Sequence, residues 1–320
     1  MRDELKRKEP TRVLITGASG FLGQALSRRL RADGYSVTAL SRHAPADLGE
    51  PWVQVKRYED GGPLLEGHDC VVHLAARVHV MKDAALDPLA EFRAVNVDLT
   101  LLLAQRAVQA GVRRFIFISS VKVNGEETEL DRPFTVDDTP RPQDPYGVSK
   151  MEAEQVLQDL AAHTGLEVVI IRPPLVYGPG VRANFEALLH VVARGVPLPL
   201  GALQNRRSMV ALDNLVDLIA TCIDHPHAAN QTFMVSDAED VSTAGLIRRM
   251  AQAMDRPARL IAVPVWVLRL LGKLTGNTNA VQRLCGNLQV DISKTQIQLG
   301  WKPPISVDEG LWRAVAQGRK

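Results

Sequence analysis

The feature that constrains this chain most is a glycine-spaced turn near its start. The apolar run Arg12–Thr16 (RVLIT) leads directly into Gly17-Ala18-Ser19-Gly20-Phe21-Leu22-Gly23, and Phe21–Asp33 continues with apolar residues at helical spacing. A strand that turns through three spaced glycines into a helix lets main-chain N–H groups approach an anion at the helix N-terminus. The chain is therefore predicted to open with a βαβ unit that cradles a dinucleotide pyrophosphate. Gly17, Ser19, Gly20, Phe21, Leu22 and Gly23 are the lining residues.

The same rhythm continues. Short Val/Ile-rich runs at Ser36–Leu40, Trp52–Arg57, Cys70–Ala75, Phe115–Ser120 and Glu167–Arg172 lack polar alternation, as expected of parallel strands covered on both faces. Helical patterns at Leu89–Ala110 and Tyr146–His163 fill gaps between them, and Gly34, Gly111 and Gly165 each follow a helix where a left-handed cap is expected. The predicted fold is α/β, a Rossmann-type doubly wound parallel sheet with a smaller C-terminal substrate-binding region. Residues 1–10 read as a solvated, flexible tail, 11–172 as the NAD(P)-binding domain, and 173–320 mainly as the substrate-binding region, with some return to the main sheet. Ligands of open α/β sheets bind at the carboxyl ends of the strands, so the second region is expected to roof that crevice.

Composition removes several function classes. With 38 basic against 36 acidic residues, no electrostatic footprint for nucleic acid exists. The three cysteines, Cys70, Cys222 and Cys285, are far apart, which excludes a disulfide framework and a paired-cysteine metal site, so no metal is expected. The N-terminus has no apolar signal-peptide core, and a cytoplasmic protein is the expectation. Leu260–Leu274 is apolar, but Pro264, Arg269, Gly272 and Lys273 interrupt it short of a membrane span. It reads as a core-packed helix with one polar edge, the alternative being an interfacial basic helix.

Two further patterns carry chemistry. At the end of the second strand, NAD-binding chains commonly have Asp or Glu for the ribose 2′-hydroxyl. Here the residues are Ser41 and Arg42, which points to the 2′-phosphate of NADP. Tyr146 and Lys150 stand four apart on one helix face, and an ammonium beside a phenol of pKa about 10 would help it exchange a proton near neutrality. Ser120, ending the fifth apolar run, can hydrogen-bond a reacting oxygen.

Together with HLAA (73–76), Asn96-Val97, FISSVKVNG (117–125), PYGVSK (145–150), RPPLVYGPG (172–180), Arg207 and Asp213, these motifs resemble the extended short-chain dehydrogenase/reductases of the nucleotide-sugar epimerase/dehydratase type, from about Thr11 to Trp312. The resemblance implies Ser120, Tyr146 and Lys150 as catalytic residues. It implies Leu74, Ala75, Ala76 and Pro173 as cofactor-lining, Asn96 as structural support near the lysine, and Lys122, Asn184 and Arg207 as contacts to a UDP-sugar. A homodimer through the helices Leu89–Ala110 and Tyr146–His163 is also implied. Departures narrow the reaction. Dehydratases follow the serine with Asp-Glu, where this chain has Val121 and Lys122. Asn124 replaces a tyrosine, Leu175 stands where an asparagine meets the sugar, and Leu288 where a tyrosine does. The expected function is NADP(H)-dependent 4-keto reduction of a UDP-linked 6-deoxy-N-acetylhexosamine in surface-polysaccharide synthesis, similar to the reductases of that branch. The alternative is a UDP-sugar 4-epimerase holding NAD(H). A non-catalytic dinucleotide-binding protein is a third reading, disfavoured because all three catalytic positions are intact.

Overall fold

A computed structural model describes residues 9–42, 52–78, 87–181 and 184–316. Most of the expected tail, residues 1–8, lies outside them. The first elements are β1 (Arg12–Thr16), α1 (Phe21–Ala32), β2 (Ser36–Ser41), β3 (Trp52–Gln54), β4 (Cys70–His73), α2 (Pro88–Arg93), α3 (Leu99–Gln109), β5 (Arg114–Ile118), α4 (Pro145–His163) and β6 (Glu167–Arg172). There follow β7 (Leu175–Tyr177), α5 (Asn184–Ala193), β8 (Arg207–Ala211), α6 (Leu212–Asp224), β9 (Gln231–Met234), β10 (Asp240–Val241), α7 (Thr243–Ala253), α8 (Val265–Leu274), α9 (Thr278–Cys285), α10 (Ser293–Leu299) and α11 (Val307–Ala316). Seven strands form one sheet in the order β3-β2-β1-β4-β5-β6-β9. Within it, β1 pairs in parallel with β2 and β4, β2 with β3, and β4 with β5. This is the doubly wound Rossmann arrangement expected from the sequence, with the order reversing beside β1.

The chain divides into two compact units. One comprises the chain up to Ile118, Glu152–Ile170 and Cys222–Gln231; the other comprises Ser119–Met151, Ile171–Thr221 and Thr232 onward. The sequence reading had assigned Ser119–Met151 to the first region. This segment is instead tied by backbone bonds to residues 287–291: Thr128 N–H to Asn287 O (3.0 Å), Phe134 N–H to Gln289 O (2.8 Å) and Asp291 N–H to Phe134 O (2.8 Å). A pairing over so long a sequence separation leaves no periodic trace.

In the first unit, Leu14, Val71, Phe115, Phe117 and Ile170 from the sheet pack against Leu99, Leu103, Ala107, Ala153 and Leu157 from the helices. Leu99, Leu103 and Ala107 are thus used within the subunit. Gly34 and Gly111 have φ of 89° and 74°. Each closes its helix with paired bonds, Tyr35 N–H to Leu30 O with Gly34 N–H to Arg31 O, and Val112 N–H to Ala107 O with Gly111 N–H to Val108 O. Gly165 takes no left-handed conformation. Thr164 does that work at the end of α4, donating to Leu160 O and accepting from Leu166 N–H. The expected single helix 89–110 is broken by one π turn, Ala94–Asp98, which carries Asn96.

In the second unit, β7, β8 and β10 form a small sheet whose apolar face joins α7 and α11 through Tyr177, Met209, Ile247, Met250 and Leu311. Its organising polar group is the buried Asp237. Its carboxylate accepts from the Tyr177 hydroxyl (2.7 Å), Ala211 N–H (2.8 Å) and Asn214 Nδ2 (2.7 Å). Burial pushes the Asp237 carboxyl up, and these three donors pull it back. On α8 only Leu268 and Gly272 are buried, so the expectation of a core-packed helix is corrected to one seated on a narrow ridge. Among the described residues no helix is long and apolar enough to cross a membrane.

Arg114 is 1% exposed at the start of β5. It donates to Cys222 O (2.6 Å), Ile223 O (2.9 Å) and His225 O (3.0 Å), carbonyls around the α6 C-terminus, and pairs with Glu167 (2.7 Å). Replacing Arg114 by Met leaves buried carbonyls without donors, so denaturant unfolding should record a loss of about 3–5 kcal/mol. A loss under about 1 kcal/mol would mean that water replaces the guanidinium.

Candidate active site

The glycine turn after β1 has no room for side chains. Gly17 is left-handed (φ +70°), and a Cβ on it would lie 2.7 Å from Ala75 N and 2.9 Å from Leu74 C. A Cβ on Gly23 would lie 2.4 Å from Gly17 O. The main chains of the turn, of α1 and of residues 74–75 therefore touch directly. Gly20, the N-cap of α1, offers no capping side chain, and no acid occupies the first turn. The amides of that turn are left to an external anion, with Ser19, Phe21 and Leu22 partly exposed around them. This cradle fits the pyrophosphate of a dinucleotide.

A buried chain of hydrogen bonds holds it. Thr100 Oγ1 donates to Asn96 O (2.8 Å), so it accepts from His73 Nε2 (3.0 Å); His73 Nδ1 bonds the Thr16 hydroxyl (2.7 Å). Thr16 Oγ1 in turn accepts from Ala75 N–H (3.3 Å). In this order Nε2 of His73 carries a proton. Asn96 clamps the main chain of Arg77, accepting from its N–H (2.8 Å) and donating to its O (3.1 Å). Its support is therefore given to the segment that follows β4, which carries Leu74, Ala75 and Ala76. At the end of β2, Ser41 is buried, and the exposed Arg42 has its guanidinium 5.7 Å from the Tyr58 ring centroid. Tyr58 also meets the Gly17 N–H; burial pushes its phenol up, and Arg42 and that amide oppose the push. No sequence motif announced Tyr58.

In the second unit, the expected strand end at Ser120 is an extended cap residue just beyond β5. Ser119 N–H bonds Ile171 O (2.8 Å), and Val121 N–H bonds the carbonyl of the buried Pro173 (3.0 Å), fixing the segment around Ser120. Asp144 begins α4 by accepting from Gly147 N–H (2.7 Å), and Tyr146 and Lys150 follow one turn apart. Lys150 is 2% exposed, with Nζ 6.0 Å from the Tyr146 ring centroid. Tyr146 and Ser120 share a hydrogen bond. Burial pushes the Tyr146 phenol up to about 12; the Ser120 bond opposes this, and the Asp144 charge adds to it. The sequence expectation was a lowered phenol pKa. In the protein alone the net shift is upward, because desolvation and the Asp144 charge outweigh the Ser120 hydrogen bond.

The three expected substrate contacts fare differently. Lys122 donates to Glu126 (2.8 Å) and to Asp144, so two carboxylates claim its ammonium; it supports the start of α4 rather than presenting a free charge. Asn184 is exposed and forms the first residue of α5. Arg207 donates to Arg283 O (3.0 Å) and Gly286 O (3.2 Å). Burial lowers its pKa, Glu127 and Glu126 oppose this, and Arg283 adds to it. Arg283 lies close enough to Arg207 for their charges to oppose each other, and it was not foreseen. Asn124 is structural: it bridges Arg172 (3.0 Å) and Thr135 O (2.8 Å). Leu288 is buried, and its backbone bonds Ser208 N–H and Arg206 O on either side of Arg207. No group of metal-ligating side chains occurs among the described residues.

Known proteins share this architecture. The UDP-glucose 4-epimerase of Vibrio cholerae is 49% identical over 315 residues, spanning 95% of this chain and 94% of that one. The N-acetyl-alpha-D-glucosaminyl-diphospho-ditrans,octacis-undecaprenol 4-epimerase of Escherichia coli O157:H7 is 30% identical over 323 residues, at 95% and 94% coverage. A solved structure, MoeE5 in complex with UDP-glucose and NAD, superposes with a TM-score of 0.77 at 25% identity, covering 96% of this chain and 98% of that one. The profile of the NAD dependent epimerase/dehydratase family matches residues 13–236. That match runs from β1 to just past β9, well over half the chain, and the chain belongs to the NAD dependent epimerase/dehydratase family.

Proposed function

We propose that this protein is a UDP-sugar 4-epimerase that retains NAD. The observation that carries the reading is the Ser120–Tyr146–Lys150 arrangement, with the Ser120–Tyr146 hydrogen bond formed, in a chain that is 49% identical to a protein named as such an epimerase. The sequence reading had ranked NADP-dependent 4-keto reduction first. The relatives' names and the NAD in the MoeE5 complex favour the alternative, so the order is reversed.

When bound, NAD supplies a reversible hydride acceptor for C4 of the sugar. The protein's own part is the proton. Tyr146 takes the proton from the C4 hydroxyl as the alcohol becomes a ketone and returns it when the ketone is reduced from the other face. Ser120 hydrogen-bonds the same oxygen. Lys150 supplies the positive charge that offsets the cost of the phenolate, a cost that burial and Asp144 make large. Arg207, with Arg283 and Asn184, holds the UDP diphosphate. The dehydratase outcome is disfavoured because Val121 cannot act as an acid and Lys122 is taken up by Glu126 and Asp144. The homodimer through α3 and α4 belongs to the same reading, and light scattering tests it.

One observation favours the second reading, an NADP-dependent reductase: Ser41 and Arg42 stand where an acid would select NAD. Incubation of the purified protein with UDP-glucose and UDP-N-acetylglucosamine, with no added cofactor, should yield the C4 epimers, and mass spectrometry of the denatured protein should detect NAD. Released NADP, or reduction of a 4-keto UDP-sugar without epimerisation, would establish the reductase. Tyr146→Phe should lower turnover at least ~10²-fold. Asp144→Asn keeps a capping side chain on α4 but removes a charge that raises the Tyr146 pKa, so the acid limb of the kcat/KM profile should move to lower pH. An unmoved limb would assign that ionisation to another group. Arg207→Ala should weaken UDP about tenfold or more by calorimetry, the scale of a charge-assisted bond. Unchanged affinity would remove Arg207 from the nucleotide site.

A further inference from the structure

The apolar stretch 260–274 has no role in the site described above, and α8 presents it outward. Trp266 is 69% exposed and Leu274 75%, with Leu270, Leu271 and Ile261 also about half exposed or more. At 3.6 residues per turn, Trp266, Leu270 and Leu274 form one row with Leu271 beside it, and Arg269 and Lys273 form the adjoining row. The buried residues Leu268 and Gly272 lie on the opposite side, where Gly272 lets α8 approach Val281 of α9. Single exposed leucines are ordinary, but five large apolar side chains within fourteen residues make a patch that water disfavours.

Charge identifies what covers it. From Arg256 to Val290 the sequence holds Arg256, Arg259, Arg269, Lys273 and Arg283 and no Asp or Glu. Beside α8 and α9 opens a cavity of about 280 Å³ lined by Arg269, Lys273, Thr278, Val281, Gln282 and the single acid Glu127. Indole and leucine side chains edged by lysine and arginine are the features of a helix that lies in a lipid headgroup layer. We propose that α8 docks this protein on an anionic bilayer surface, with Trp266, Leu270, Leu271 and Leu274 entering the acyl boundary. Arg269 and Lys273 meet lipid phosphates, and their alkyl stems let the charges stay in the headgroup layer. The proposal does not depend on the sugar or cofactor assignment.

The test is co-sedimentation of the full chain with vesicles of phosphatidylcholine alone and of phosphatidylcholine mixed with phosphatidylglycerol. The wild type should pellet with the mixed vesicles, much less with the neutral ones, and less as salt rises. The exposed double change Leu270→Gln, Leu274→Gln should abolish pelleting without altering the melting temperature. Arg269→Gln and Lys273→Gln should each lower partitioning about fivefold on the mixed vesicles alone. Failure of the wild type to pellet with mixed vesicles, or pelleting that these changes leave intact, would overturn the proposal. So would a dimer that Leu270→Gln, Leu274→Gln converts to monomer in protein that ignores vesicles, since the patch would then be covered by a second copy.

Discussion

The nucleotide-binding end depends on a contact between main chains. Gly17 and Gly23 let the turn, α1 and the 74–75 peptide meet at distances that any Cβ would prevent. Such a junction has little side-chain packing of its own and needs an external frame. The frame is the buried line Thr16–His73–Thr100–Asn96, which joins β1 and β4 to the π turn and α3. Every member has a partner, as low-dielectric surroundings require. His73 spans this line, bonded at one ring nitrogen to Thr16 and at the other to Thr100.

The catalytic end has a different economy of charge. Tyr146 is held in a place that penalises the phenolate, and Asp144, needed to start α4, worsens the penalty. Asp144 is itself paired with Lys122. Arg172 tells a parallel story. Asn124 is turned toward its guanidinium and toward Thr135 O, forming a bridge between them.

Much of this was legible in the sequence where the cause is local. The glycine turn, the Val/Ile-rich strands and the two Schellman glycines each depend on a few neighbouring residues, and their positions agree with expectation to within a few residues. The helix that carries Tyr146 and Lys150 was legible for the same reason. What could not be read depends on distant partners. At the π turn the Asn96 side chain bonds the distant Arg77 backbone. Arg283 gains meaning only beside Arg207, and Tyr58 only beside Gly17 and Arg42. The upward shift of Tyr146 in the protein alone was not legible, because a motif displays the lysine and not the burial. Asp144 carried a visible signal, an acid just before a Pro-initiated helix, which helix-capping rules would have caught.

The charge of the whole chain conceals its distribution. A net charge of +2 excludes a general affinity for polyanions, yet five cations without an acid fall within residues 256–290, and the remainder of the chain is net acidic. Local excess of this kind acts over about a Debye length, roughly 8–10 Å at moderate salt, so the average says little about what one helix meets. The apolar content is segregated in the same segment. A helix that needed only to cover Val281 would be served by Leu268 and Gly272 and could carry polar residues elsewhere. Trp266, Leu270, Leu271 and Leu274 add exposed apolar area that contributes nothing to the fold of the isolated chain. Such area costs solubility with no stabilising return, unless a surface outside the chain takes it up.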